Sequence, residues 1–221
     1  MTTTNQDTLR GSLDLLRGWM VDAGKDFWPQ EQTLQDWLAA ALVEAGRCPH
    51  ATHILAEVAL SETEKDVDDD LRNLIRSGTP TSTFLYDLVV LKGPARGQAR
   101  SFESVRDPGI SLVVQVKALN SAGTMDRADL RQDVKTLWVA REYERRQGND
   151  LDTLFVVLAT SCKDDEDGTK AATRIRWLRD RFDEVTSDHG AADFAGGIPM
   201  ALVLADEVLL RTTTGTWQRE C

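Results

Sequence analysis

The sequence predicts an α/β fold whose core is a helix, a three-strand antiparallel meander, a crossover helix and a parallel strand. The middle of the chain holds apolar runs of strand length that are rich in β-branched residues, and amphipathic helical patterns flank them. A long helical pattern separates the third run from the fourth, as a parallel connection requires. We therefore predict one domain over 1–221, with an N-terminal helical extension (1–30), a core (33–160) and a C-terminal helix and strands (161–221).

Composition limits the classes of function. Of the 221 residues, 41% are hydrophobic and 28% are charged, which is typical of a globular protein in water. No apolar run approaches the roughly 18 residues of a membrane span, and the first residues lack the basic and apolar segments of a secretory signal. A cytoplasmic location without a membrane partner is the expectation. The net charge of -10 gives no global attraction to nucleic acid, so any contact with DNA requires a local basic patch.

Two helices are predicted before the first strand. Residues 7–24 carry leucines and a methionine at helical spacing, and Thr33 is predicted to cap a second helix that stops at Gly46. At about 100° per residue, Glu44 lies beside Trp37 at the edge of the apolar stripe of this second helix. We therefore expect the carboxylate of Glu44 to be partly buried, with a plain surface position near the C-terminus of the helix as the alternative.

The first three strands are predicted over 53–62, 82–93 and 111–121. A short acidic helix over 63–78 separates the first from the second. A loop rich in glycine, proline and arginine joins the second to the third. Neighbouring strands connected by a loop of this size are most simply antiparallel.

The second half of the chain supplies the crossover. A long helix over 124–148, with Asp126 as its cap, leads into the apolar run 151–161, which suits a strand buried on both faces and parallel to its predecessor. Residues 168–187 form a further amphipathic pattern, and 196–217 contain one or two more strands.

Polar residues interrupt the second and third strands. Asp87 stands among apolar neighbours, and Gln115 and Lys117 are two residues apart, so they share a face while Val114 and Val116 point the other way. An antiparallel pair that brings Asp87 beside Gln115 places two oxygen ligands and an ammonium group in one cleft. Because Mg²⁺ prefers oxygen ligands, this cleft is a candidate metal and phosphate site.

These positions resemble a motif of known nucleases. "YDLVVL" corresponds to the aspartate strand, "VQVKA" to the (D/E)xK strand, and "ALVEAG" to the first helix of the PD-(D/E)xK nuclease superfamily. The core of that superfamily, the restriction-endonuclease-like fold, is a helix, three strands, a helix and a strand. The resemblance covers most of the chain from 33 to 160.

The resemblance implies cleavage of phosphodiester bonds in DNA with Mg²⁺, or alternatively Mn²⁺. It makes Asp87 and Gln115 metal ligands, Lys117 the residue that positions or activates water, and Glu44 an accessory ligand or base. Glu57, a charge inside the first apolar strand, is the alternative to Glu44. A prokaryotic restriction, defence or repair setting is implied, and a homodimer or a larger defence complex are further partners to consider.

Two positions depart from the motif: that of Tyr86, a common variation in the family, and that of Gln115, which bears on activity. Tyr86 stands where the family name has proline, and Gln115 replaces the acidic residue, which removes one negative charge from the metal site. A catalytically inactive binding or assembly subunit of the same fold is therefore an alternative function. A second alternative is an unrelated α/β protein in which the polar residues form a structural ion pair.

Four arginines are candidates for contact with DNA phosphates. Arg96 and Arg100 lie in the loop between the two strands that carry the motif, and Arg141 and Arg145 lie near the end of the crossover helix. Arginine is also a good helix former on a plain surface, so the two helical positions have a second explanation.

Overall fold

The computed structural model describes residues 3–23, 30–78, 83–95, 100–119, 126–159, 169–187, 197–204 and 207–220. Over these residues the chain is an α/β protein with five α-helices and a seven-stranded mixed sheet. The helices are α1 (Thr3–Asp22), α2 (Glu31–Glu44), α3 (Asp69–Gly78), α4 (Arg127–Arg146) and α5 (Thr169–Ser187). The strands are β1 (Ile54–Ser61), β2 (Thr83–Leu91), β3 (Ile110–Leu119), β4 (Asp152–Ala159), β5 (Met200–Val203), β6 (Val208–Arg211) and β7 (Trp217–Glu220).

The strands follow one another across the sheet in chain order. β1, β2 and β3 form an antiparallel meander, and β4 pairs with β3 in parallel after the crossover through α4, as predicted. β5 is parallel to β4, while β6 and β7 return antiparallel. The end of the chain thus contains three strands rather than one or two, because the tight turn between β6 and β7, with Gly215 at φ 83°, gives the last residues a partner.

The sheet separates two apolar cores. On one face, α3, α4 and α5 pack on the sheet, and Val113, Leu137 and Phe155 belong to this first core. On the other face, α1 and α2 pack through residues such as Leu13 and Leu38. β4 contributes to both cores and is buried from its second residue to its last, as expected of a central parallel strand.

The second helix differs from the prediction at its start and in the exposure of its last residue, whereas Gly46, at φ 74°, follows its end as predicted. It begins at Glu31, after an extended Gln30 that makes no capping hydrogen bond through its side chain, so Thr33 is inside the helix and does not cap it. The acidic side chain in the first turn is favourable at the positive end of the helix dipole. Glu44, the last residue of α2, is exposed and not partly buried as predicted.

Over the ranges that the structure describes, none of the helices combines the length and apolar character needed to cross a bilayer.

Candidate active site

β2 and β3 stop pairing through their backbones in the middle of the sheet. The antiparallel ladder between them ends at the pair Leu88 and Val114. Beyond this point the carboxylate of Asp87 takes the place of a backbone acceptor, because its Oδ2 accepts a hydrogen bond of 2.7 Å from the backbone N–H of Val116. The two strands are therefore bridged by a side chain where a regular sheet has a main-chain bond.

Gln115 bridges the same gap from the other strand. Its Nε2 donates a hydrogen bond of 2.8 Å to the backbone carbonyl of Leu85. A carbonyl oxygen accepts only, so the amide nitrogen must face Leu85 and the amide oxygen is directed elsewhere. Asp87 and Gln115, both predicted site residues, thus lie on either side of one opening between the strands.

The alternation of side chains between the two faces of the sheet shifts by one residue at Asp87 in β2. Tyr86 and Val89 both pack in the first core, although strict alternation would place residues three apart on opposite faces. Glu57 lies opposite Asp87 on β1 and has φ 54°, the sole positive value at a non-glycine position in the described part of the chain. Such irregularities turn side chains out of a regular sheet and are common beside functional sites.

The ammonium group of Lys117 lies near carboxylates from two helices, α2 and α4, and is also influenced by the charge of Asp87 on β2. Its Nζ is 3.4 Å from Oε1 of Glu31, in the first turn of α2, and 3.6 Å from Oδ2 of Asp133, on α4. Val113 and Leu119 of β3 belong to the first core, so Gln115 and Lys117, at the same alternation, share one face as predicted, and α4 covers that face. We use "the cleft" for the group Glu31, Asp87, Gln115, Lys117 and Asp133.

Two acids of the cleft, Asp87 and Asp133, have raised pKa values. Burial, with a smaller contribution from the charge of Glu31, raises the pKa of Asp87 to about 7 against the hydrogen bond from Val116. Burial also raises the pKa of Asp133 to about 6, although the charge of Lys117 works against this. For Lys117, burial lowers the pKa, but the charges of Asp133, Glu31 and Asp87 outweigh it and leave the pKa raised. The cleft thus contains more negative charge than its one ammonium group balances.

Neither of the two predicted accessory acids is in contact with Lys117. Glu44 is 13 residues from Glu31 on the same helix, which corresponds to about 20 Å along the axis. Glu57 is exposed. The helix that was expected to supply an acid does supply one, but from its first turn, through Glu31, rather than from its last.

The four predicted arginines separate into different settings. The backbone carbonyl of Arg100 accepts a hydrogen bond from the N–H of Ala59, and Ala59 pairs with Leu85 of β2. Arg100, which is exposed, is therefore level with the cleft, which means that it lies at the same position along the strand direction. Arg141 donates to the carbonyl of Gly197, and Arg145 forms two hydrogen bonds with Glu142. These two lie about 12 and 18 Å beyond Asp133 along α4. Arg96 lies outside the described residues.

Sequence reasoning missed Glu31 and Asp133. Glu31 was assigned to the connection before the helix, because Thr33 was taken as the cap. Asp133 carries a clearer signal: it is three residues after Leu130 and four before Leu137, so it falls inside the buried stripe of α4. A carboxylate at such a position requires a cationic partner or pays a desolvation cost.

The fit of the cleft to a metal ion is partial. Within the described ranges, no three His, Cys, Asp or Glu side chains are grouped so as to hold a metal ion. However, Oδ2 of Asp133 is buried and has no hydrogen-bond partner in the described chain. Mg²⁺ keeps several waters and is commonly held by one or two carboxylates together with the oxygens of its substrate, so the donor set of the cleft suits it.

No protein-family model, no curated protein and no solved structure matches this chain. The assignment of a function therefore rests on the residues of the cleft and their geometry.

Proposed function

We propose that the chain is a Mg²⁺-dependent nuclease of the PD-(D/E)xK type that hydrolyses phosphodiester bonds in DNA. In this proposal α2, β1, β2, β3, α4 and β4 form a restriction-endonuclease-like core. The observation that carries the proposal is the opening between β2 and β3, which brings Asp87, Gln115 and Lys117 together at the end of a backbone ladder. Two separate strands, β2 and β3, thus bring these three residues together.

Each residue of the motif has a role in this proposal. Asp87 is fixed through Oδ2 by the N–H of Val116, which leaves its other oxygen for a cation, and the amide oxygen of Gln115 is a second donor. Bound there, Mg²⁺ would offset the charge of the phosphate and polarise it. Lys117 brings an ammonium group to the same place, where it can orient a phosphate oxygen or a water by donating hydrogen bonds.

Local basic residues support DNA as the substrate. Arg100 is level with the cleft on the β1 side, and Arg127, Arg131 and Lys135 recur every four residues on the first half of α4, about 160° around the helix from Asp133. These groups can neutralise phosphates although the whole chain is acidic. The prokaryotic restriction, defence or repair setting is part of the proposal and comes from the resemblance of the motif.

The test is cleavage of supercoiled, linear and single-stranded DNA with Mg²⁺ or Mn²⁺. We expect cutting by the wild-type protein that EDTA stops and that Lys117→Ala and Asp87→Ala abolish. Lys92→Ala, at an exposed lysine just after β2, is the matched control and should cut normally. Cutting that survives both substitutions in the cleft would place the active site elsewhere.

A catalytically inactive binding or assembly subunit is the second candidate. Two contacts favour it: Gln115 already donates to a backbone carbonyl, and Lys117 is within 4 Å of two carboxylates. Under this alternative the protein binds DNA or a partner protein without cutting in any metal. Binding of DNA measured by fluorescence anisotropy, together with complete absence of cleavage, would support it over the nuclease.

A further inference from the structure

Asp133 occupies a position where an apolar residue would be expected. It lies on α4 between Leu130 and Leu137, both of which are fully buried in the first core. Its Oδ2 is buried without a hydrogen-bond partner in the described chain, and the ammonium of Lys117 is 3.6 Å away, beyond hydrogen-bond length.

Such a placement is costly for folding. A buried carboxylate oxygen without a hydrogen bond loses its hydration, and the ion pair with Lys117 at 3.6 Å offsets only part of that loss. Glu31 already provides Lys117 with a nearer carboxylate, at 3.4 Å. Glu31 alone can balance the single positive charge of Lys117. Charge balance with Lys117 therefore does not explain why Asp133 is an acid.

The role that we consider for Asp133 is to replace the negative charge that the motif has at the position of Gln115. Gln115 is neutral where the motif has an acid, so β3 brings an oxygen donor but no negative charge to the cleft. Because Gln115 and Lys117 point from β3 toward the face that α4 covers, a side chain on the buried stripe of α4 reaches the same space. Asp133 is the acidic residue that this stripe presents there.

We propose that Asp133 supplies from α4 the negative charge that Gln115 does not, and that it completes the cation-binding cleft. This inference rests on the proposed function. With Asp133, three carboxylates face one ammonium group, and the excess of two negative charges matches a divalent cation. Without Asp133 the excess falls to one.

The experiment measures binding of Mn²⁺ alone, by electron paramagnetic resonance of the free ion, to the full chain without DNA. We compare the wild-type protein with Asp133→Asn, Gln115→Glu and the double variant. Asp129→Asn, at an exposed position one turn earlier on the same helix, is the matched control. The change Asp133→Asn removes charge but preserves shape.

We expect Asp133→Asn to weaken Mn²⁺ binding about tenfold, in the range seen when a supporting group of a metal site is removed. Gln115→Glu should strengthen binding in the wild-type background and return the double variant to within about threefold of wild type, because it restores the same charge from β3. Asp129→Asn should bind as wild type does. A merely structural role for Asp133 would not produce rescue by a change on another element.

The outcomes separate the two proposals. If the wild-type protein binds Mn²⁺ and cuts DNA while Asp133→Asn binds as tightly, this inference is overturned and the nuclease stands. Failure of Gln115→Glu to rescue the double variant also overturns it. If the wild-type protein neither binds Mn²⁺ nor cuts DNA, the proposed function is overturned together with this inference. Should Asp133→Asn fail to fold, Gln115→Glu alone decides, since unchanged affinity would show that charge at this place is not limiting.

Discussion

Two acidic clusters in the described part of the chain are balanced differently. Around the start of α3, four carboxylates each have an arginine partner, in the pairs Glu62 with Arg76, Asp66 with Arg106, Asp68 with Arg146, and Asp69 with Arg72. We call these pairs the arginine-balanced cluster. In the cleft, three carboxylates share the single ammonium of Lys117.

The difference appears in the ionisation of the acids. In the arginine-balanced cluster, the N–H of Leu71 together with Arg146 lowers the pKa of Asp68. Hydrogen bonds from Arg145 and Arg146 lower the pKa of the adjoining Glu142 to about 2. In the cleft, burial without enough positive charge raises the pKa values of Asp87 and Asp133. In the arginine-balanced cluster, each carboxylate has an arginine of the chain as its counter-charge. In the cleft, the chain provides one positive charge for three carboxylates, as expected of a site for an external cation.

The largest effect is expected for Asp87→Asn. The substitution preserves shape and an acceptor for Val116 but removes charge from the cleft. We expect single-turnover cleavage of DNA with Mg²⁺ to fall about 10³-fold, within the range for loss of a group that acts directly on the reaction. Asp69→Asn, in the arginine-balanced cluster, should cut within twofold of wild type. Equal rates for the two variants would remove the distinction between the clusters.

The pH dependence of stability is the second test. The folded-state pKa values of Asp87 and Asp133, about 7 and about 6, lie above the ordinary value of 3.8. The folded state therefore holds more protons than the unfolded state between about pH 4 and pH 7, and the free energy of unfolding falls as pH rises through this window. Below about pH 4 the penalty is absent.

We expect a loss of about 2 kcal/mol between pH 4 and pH 8 for the metal-free protein, allowing for partial solvent screening. Urea denaturation with EDTA measures it, and the double variant of Asp87→Asn and Asp133→Asn is the comparison. Mg²⁺ should reduce the loss in the wild-type protein alone. A wild-type profile as flat as that of the variant would contradict the excess charge in the cleft.

Arg146→Ala tests the arginine-balanced cluster. Arg146 forms ion pairs with both Asp68 and Glu142, so its removal breaks one ion pair of each acid. Glu142 keeps its ion pair with Arg145. The lowered pKa values of these acids mean that they stabilise the fold above the ordinary carboxyl pKa and lose this contribution in strong acid. We expect a loss of about 1 kcal/mol at pH 7 in urea denaturation, smaller at high salt, with unchanged DNA cleavage. Loss of cleavage without loss of stability would show that Arg146 serves the reaction.

The smallest effect is expected for Glu64→Gln. Glu64 lies next to the arginine-balanced cluster but resembles the acids of the cleft, because burial raises its pKa to about 7 and its Oε2 has no hydrogen-bond partner in the described chain. Ionisation of Glu64 therefore destabilises the fold above about pH 7 and not below about pH 4.5. The substitution should raise the free energy of unfolding by roughly 1 kcal/mol at pH 8 and leave it unchanged at pH 4. A loss of stability at pH 8 would contradict this assignment.

Much of the fold could be predicted because its signals are local. The alternation that placed Gln115 and Lys117 on one face, and the long helical pattern before β4, depend only on residues near one another in the chain. The structure has both features.

The missed parts of the cleft depend on contacts between elements. Gln30, which precedes the first residue of α2, makes no capping hydrogen bond, so the sequence carries no capping signal for a helix that begins at Glu31. The positive φ of Glu57 occurs where β1 pairs with β2, and no residue type in the sequence indicates it. Asp133 was in a visible stripe, but its meaning became clear only when α4 was packed over Lys117. Likewise, the partners of Arg141 and Arg145 could not be read from their sequence positions.

The most direct test of the central claim is a crystal structure of the protein with Mn²⁺, with anomalous differences recorded for the metal. We expect an anomalous peak in the cleft, beside Asp87 and Asp133, and none at the arginine-balanced cluster, whose acids already have their counter-charges. At saturating Mn²⁺, a cleft without a peak, or a peak at the arginine-balanced cluster alone, would show that the cleft is not a cation site.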